Sequence, residues 1–136
     1  MSRIEARRLV ERCVRELAVP RELRAQAADF VDDVSDGFGS IRITPKSRAS
    51  VADLGGPLVE GEALDADGQD VFAVLLVSAG RLAELQIYRG DGLAIRGELL
   101  ASGFKLFPGM VLSYLARTKT VPLVPPLPEP PVVSEP

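Results

Sequence analysis

The residues with the chemistry to recognise or transform a ligand gather in two stretches. Arg42, Glu60, Glu62, Glu84, Gln86 and Tyr88 fall at alternating positions of short apolar runs, so in extended segments several of them share one face. Carboxylates, a carboxamide, a phenol and a guanidinium on one face could hold a polar ligand. Arg42 would then pair with Glu84, and Glu84, Tyr88 and Arg42 would offer weak acid–base chemistry. The same set on an open sheet is a solvated surface with cross-strand ion pairs worth little each. The second stretch, Asp53 to Asp70, carries Asp53, Glu60, Glu62, Asp65, Asp67 and Asp70 with no Lys or Arg among them. A calcium loop counted from Asp65 needs glycine at its sixth position and glutamate at its twelfth. Here Gly68 is fourth and Leu76 twelfth, so Asp65-Ala66-Asp67-Gly68 reads as an exposed hairpin tip.

Nucleophilic and metal chemistry find no further support. The chain has no histidine and a single cysteine, Cys13, which removes Ser-His-Asp and Cys-His pairs, His-based metal sites, and a Cys-rich zinc site within one chain. Gly37-Phe38-Gly39-Ser40 has the glycines of a phosphate-cradling loop, but such a loop leads into a helix and Ile41-Arg42-Ile43 reads as extended. Ser40 lacks the Gly-x-Ser-x-Gly elbow. No catalytic, cofactor-binding or metal-ligating residue is assigned, and the balance leans away from an enzyme. The candidate ligand or partner surface is Arg42, Glu62, Glu84, Gln86 and Tyr88.

These residues need elements to position them. Ser2 and Glu5 have the spacing of a capping box, and Ala6, Leu9, Val10, Cys13, Val14 and Leu17 form an apolar stripe, which predicts a helix to about Leu17. Pro20 suits the first turn of a shorter helix with Leu23, Ala27 and Phe30 on its buried side. Ala28 to Val34 fits neither helix nor strand period cleanly. From Gly39 the period becomes two: strands are expected at Ile41–Ile43, Leu58–Leu64, Val71–Val77 and Leu82–Tyr88, with turns at Asp36–Ser40, Asp67-Gly68 and Ala79-Gly80. Val71–Val77 is apolar at both alternating sets, as in a central or doubly covered strand. Leu93–Leu100 is a strand or a short helix, and Pro108-Gly109 interrupts the apolar run Phe104–Leu115.

The expected architecture is α+β: amino-terminal helices packed on a mostly antiparallel meander of four or five strands, forming one domain over residues 1–116. Residues 117–136 read as a proline-rich flexible tail. Within it Lys119, Pro122 and Pro125 match a basic-x-x-Pro-x-x-Pro ligand pattern that also arises in any proline-rich extension.

Three segments carry a resemblance: Asp36-Gly37-Phe38-Gly39-Ser40-Ile41-Arg42, Asp65-Ala66-Asp67-Gly68, and Leu82-Ala83-Glu84-Leu85-Gln86-Ile87-Tyr88. Over roughly its first two thirds the chain resembles a small bacterial domain family of unknown function. That family's pattern is a Gly-Met-Gly-Ser turn followed by Ile or Leu and an Arg, an Asp-x-Asp-Gly hairpin, and a Leu-x-Glu-Leu-Asp strand ending in an aromatic. Phe38 stands in place of the Met and Gln86 in place of the Asp, so any chemistry of that Asp is lacking here. The resemblance implies a fold and brings no activity with it.

A net charge of −3 argues against binding along a phosphate backbone. No apolar run approaches the roughly 20 residues of a bilayer span, the amino terminus does not read as a secretory signal, and the lone cysteine fits a reducing, cytoplasmic setting. The arginines of the amino-terminal helices face acidic stretches elsewhere, which either guides association or is consumed by intrahelical pairs such as Glu11 with Arg15. The expectation is a non-catalytic binding or protein-interaction module without cofactors. Its partner is a protein, of immunity type by analogy, or a second copy of the chain, and neither nucleic acid nor membrane. The alternative is a small-molecule-binding protein or enzyme using the charged sheet face.

Overall fold

The computed structural model describes residues 1–128. Helix α1 (Arg3–Glu16) starts where Ser2 Oγ accepts the Glu5 N–H at 3.2 Å. The Glu5 carboxylate completes no capping box and turns instead to Arg8, at 3.2 Å. Ala6, Leu9, Val10, Cys13 and Val14 are buried, as the stripe requires. After β1 (Val19–Pro20), helix α2 (Arg21–Ala28) ends at Asp29, whose extended backbone feeds β2 (Phe30–Val34). The ambiguous stretch from Ala28 is therefore mostly strand.

The strands β3 (Ile41–Pro45), β4 (Gly56–Leu64), β5 (Asp70–Ser78), β6 (Arg81–Arg89) and β7 (Lys105–Pro108) join β2 in one antiparallel sheet of order β2-β3-β6-β5-β4-β7. The meander β4-β5-β6 and the neighbouring β3 are as expected, and β2 and β7 widen the sheet to six strands. Residues 93–100 form neither strand nor helix and end in a 3₁₀ turn at Ala101–Gly103. Pro108-Gly109 marks the change from β7 to helix α3 (Met110–Thr118). A side chain on Gly109 would meet the Pro57 carbonyl oxygen at 2.6 Å, so only glycine lets the chain pass there.

Every second residue of the central strands points into one core. Ile41, Leu85, Leu75 and Val59 lie in register across four strands, as do Ile87, Ala73 and Gly61 across three. They meet Leu9, Val10 and Leu23 of the helices in a single apolar cluster. A register shift between Leu76 and Val77 brings Leu82 in beside Val77. Leu82 is thus buried with Leu85 and Ile87, although strict alternation would put it on the opposite face.

Two polar devices fix the frame. Gln26 of α2 is fully buried: its amide donates to the carbonyls of Ala49 (2.8 Å) and Gly80 (3.2 Å), and its oxygen accepts the Leu82 N–H at 2.7 Å. One side chain therefore clamps the β5–β6 turn and the 46–55 loop to a helix. At the sheet edge, Arg7 and Arg3 of α1 donate to the carbonyls of Phe30 (3.1 Å) and Asp32 (3.0 Å) on β2, covering backbone that an edge strand otherwise leaves open.

Part of the proline-rich run is held to the domain. Strand β8 (Leu123–Val124) pairs with β1, the Leu127 N–H donates to the Arg15 carbonyl at 2.9 Å, and Arg24 donates to the Pro125 carbonyl at 3.0 Å. The last residues of the expected tail, 129–136, lie outside the described residues. Among the described residues no helix is long and apolar enough to cross a membrane.

Replacing Gln26 by Leu strands buried backbone groups without opening space for water. We expect Gln26→Leu to cost about 3 kcal/mol, read as a lower urea midpoint at unchanged slope.

Candidate functional site

The side of the sheet opposite the core carries the residues picked out from sequence. Three rows cross it. Asp33, Arg42, Glu84 and Leu76 form one, Gln86, Val74, Glu60 and Phe107 the next, and Tyr88, Phe72, Glu62 and Lys105 the third. Arg42, Glu62, Glu84, Gln86 and Tyr88 therefore share one face, because antiparallel register places alternate residues of neighbouring strands side by side.

They do not converge in a pocket around Arg42 and Glu84. Directly opposed in register, these two take other partners: Arg42 reaches Asp33 at 3.2 Å, and the Ser35 hydroxyl donates to Glu84 at 3.0 Å. The Arg42–Asp33 pair is open to solvent on both sides, with side-chain exposures of 62% and 76%, so it contributes little to stability. At the β4 end the face dips into a depression of about 330 Å³ lined by Glu60, Glu62, Phe72, Val74, Tyr88 and Phe107. Phe72 and Tyr88 stack across β5 and β6 with ring centroids 5.6 Å apart and planes tilted by 38°.

Phe72, Val74 and Leu76 are the half-buried outer set of β5. Their apolar character was legible as doubly apolar alternation, whereas their part in a surface was not. Phe107 and Lys105 gave no signal, since they join the face only through β7, a strand made by tertiary pairing.

The acidic hairpin has a different task. Asp65 is buried and accepts the backbone N–H groups of Arg96 (2.7 Å), Gly97 (2.6 Å) and Ala66 (2.8 Å), together with the Arg89 guanidinium at 2.9 Å. Arg89, its side chain only 3% exposed, also binds Asp67 at 2.9 Å and Asp91 at 2.6 Å. The expected exposed tip is thus half true: Gly68 turns at φ +84, but Asp65 folds inward onto a cation supplied by the chain. No group of acidic, histidine or cysteine side chains among the described residues could hold a metal ion.

The donors Arg96, Gly97, Ala66 and Arg89 hold the Asp65 carboxyl well below the usual carboxylate range. Arg89, then the Leu93 N–H, brings Asp91 down to about 2. The carboxylates in turn raise Arg89, Asp91 most of all.

Other candidates resolve into scaffold. Asp36 accepts the Phe38 and Ser40 N–H groups (2.8 and 3.3 Å), closing the Gly37–Gly39 turn. The Ser40 hydroxyl accepts the Ile87 N–H at 2.8 Å and donates to the Ile87 carbonyl at 3.4 Å, standing in for a rung of the β3–β6 ladder. The helix arginines are mostly consumed: Arg3 and Arg7 by Asp32, Arg8 by Glu5, Arg12 by Glu16, and Arg15 by Glu11 at 2.8 Å. Burial pushes the Cys13 thiol up to about 12, which makes it a poor nucleophile.

Residues 2–97 match the model of a domain of unknown function, DUF6984. The chain belongs to this family. No curated protein and no solved structure matches it. The DUF6984 segment runs from the Ser2 cap to Gly97, the last backbone donor to Asp65. It includes Arg42, Glu62, Glu84, Gln86 and Tyr88, and stops before β7 brings Lys105 and Phe107 to the outer face.

Carboxyls whose folded pKa lies below the unfolded value of about 3.9 add stability that is complete above that pH and lost as pH falls through the folded value. Melting followed by circular dichroism should therefore weaken between pH 4 and about 2, the value to which Asp91 is held. Arg89→Gln should flatten this acid limb and lower the neutral melting temperature by about 10 °C.

Proposed function

We propose that this DUF6984 domain is a non-catalytic protein-interaction module and that the outer sheet face is its contact surface. The observation that carries the reading is the register itself. It lays an apolar strip of Phe72, Val74 and Leu76 along β5, with Tyr88 beside it on β6, between Glu84 and Arg42 on one flank and Glu60, Glu62 and Lys105 on the other, and it sets Phe107 beyond Glu60 on β7. An apolar, aromatic centre with a polar rim is the anatomy of a protein interface. Arg42, Glu62, Glu84, Gln86 and Tyr88 act in it as rim and anchor groups.

The rim also favours one kind of occupant. Asp33, Glu60, Glu62 and Glu84 outnumber Arg42 and Lys105, and Arg42 is already matched by Asp33, which leaves the face acidic. A partner with basic residues around an apolar contact complements it. A second copy of the chain suits it less, because every arginine of α1 already holds a carboxylate of the same chain. An immunity-type role is the narrower form of the same reading and uses the same surface. Support for a small-molecule site built on Arg42 and Glu84 is weaker, since these side chains turn to Asp33 and Ser35.

A partner captured by the full chain, identified by mass spectrometry and purified, allows a direct test by calorimetry. Val74→Arg and Glu84→Lys should each weaken binding by about ten-fold or more, while Arg8→Glu, on α1, should leave it within about two-fold. Tight binding by the face variants together with loss in Arg8→Glu would transfer the interface to the helices and overturn the reading.

A further inference from the structure

Glu60 and Glu62 lack the arginine partner that many other carboxylates of this protein have. Asp32, Asp33, Asp65, Asp67 and Asp91 each hold an arginine of the chain, as do Glu5, Glu11 and Glu16. Glu60 and Glu62 have no ion pair and no side-chain hydrogen bond among the described residues. Two apart on β4, they project on the same side of the sheet. Lys105 lies next to Glu62 in register without closing to ion-pair distance. At most it offsets one of the two charges.

Between and beside these carboxylates lie aromatic rings. Phe72 is the cross-strand neighbour of Glu62 and stacks against Tyr88, and Phe107 is the neighbour of Glu60. Phe107 and Tyr88 remain 37% and 46% exposed. Ring faces carry negative charge density and attract a cation in partial desolvation. Carboxylates beside them add direct charge and hydrogen-bond acceptance. The depression they line, about 330 Å³, is near the lower limit of small-ligand sites and of a size for one long side chain.

We propose that this depression receives the guanidinium of an arginine presented by the partner protein. The inference rests on the outer face being the interaction surface and names the group that anchors the contact. A guanidinium suits the site better than an ammonium for two reasons. It is planar and weakly hydrated, so it stacks on Phe72 or Tyr88 at small desolvation cost, and its forked N–H groups can reach Glu60 and Glu62 together.

The chain already uses this chemistry within itself. The Arg7 guanidinium lies 4.0 Å from the centre of the Phe30 ring while bonding Asp32 at 2.6 Å. The outer depression offers the same combination of ring and carboxylate with the arginine still to be supplied.

The test uses the ¹⁵N-labelled full chain and three blocked tripeptides, acetyl-Gly-X-Gly-amide with X arginine, lysine or citrulline. The arginine peptide should give saturable shifts confined to β4–β7, with a dissociation constant on the order of millimolar. Citrulline, a neutral isostere, should bind about ten-fold more weakly or worse. A Glu60→Gln/Glu62→Gln double variant, altered only at exposed positions and retaining the native spectrum, should lose the preference for arginine. Equal binding of the citrulline peptide, or shifts that map elsewhere, would overturn the pocket. If the peptide result fails while Val74→Arg still weakens the purified partner, the arginine site falls and the interaction face stands. If the peptide binds but the partner's affinity ignores Glu60→Gln/Glu62→Gln, the assignment of the arginine to that partner is overturned.

Discussion

A buried guanidinium must be surrounded by anions or it will not stay buried. Arg89 meets that condition with Asp65, Asp67 and Asp91, and doing so ties the β4–β5 turn to the end of β6 and to the segment that follows it. Asp65 and Asp67 belong to the β4–β5 turn, Arg89 ends β6, and Asp91 opens the irregular segment 90–100. Asp65 then extends the connection by taking the N–H groups of Arg96 and Gly97. A stretch without regular hydrogen bonding of its own thereby acquires a fixed path, and β7 is delivered alongside β4. Without β7 the outer face would lack Lys105 and Phe107.

The two sides of the sheet divide the labour. On the inner side apolar residues line up row by row beneath the helices, and the few polar side chains there, Gln26 and Ser40, satisfy backbone groups that the sheet leaves unpaired. The outer side keeps acidic groups on β4 and β6, either side of the apolar ones along β5. An apolar strip on a solvent-facing sheet offers no gain in solubility, and it is kept half-buried by Tyr88 and its neighbours instead of being replaced by polar residues. The asymmetry explains why a core strand and a contact surface can be read from the same run, Val71 to Val77.

How much of this was legible depends on the range of the interaction. Local periodicity was enough for α1, for the β4–β5–β6 meander and for the placement of Arg42, Glu62, Glu84, Gln86 and Tyr88 on one face, because side-chain alternation is a property of each strand alone. Side-chain partners were a different matter. Arg42 has Asp33 and Glu84 on either side of it in register, and the choice between them depends on the β2 edge, a strand whose sequence fits no period. The inward turn of Asp65 was hidden because its main donors come from Arg96 and Gly97, some thirty residues on. Leu82 changed sides through a register shift that spacing does not reveal. The family match reaches only to Gly97, so β7, α3 and β8 rest on the geometry alone.

The arginines lying along β2 have a consequence for how the molecule behaves among its own copies. On the free edge of β2 (Phe30–Val34) the carbonyls of Phe30 and Asp32 are covered by arginine side chains of α1 and not by another strand, so the cover is only as durable as the seating of that helix. Were that helix to lift while the sheet persisted, a row of peptide groups flanked by the exposed Val31 and Val34 would be offered to any extended segment nearby. Keeping this edge from pairing with a second copy is thus a property of one helix staying in place.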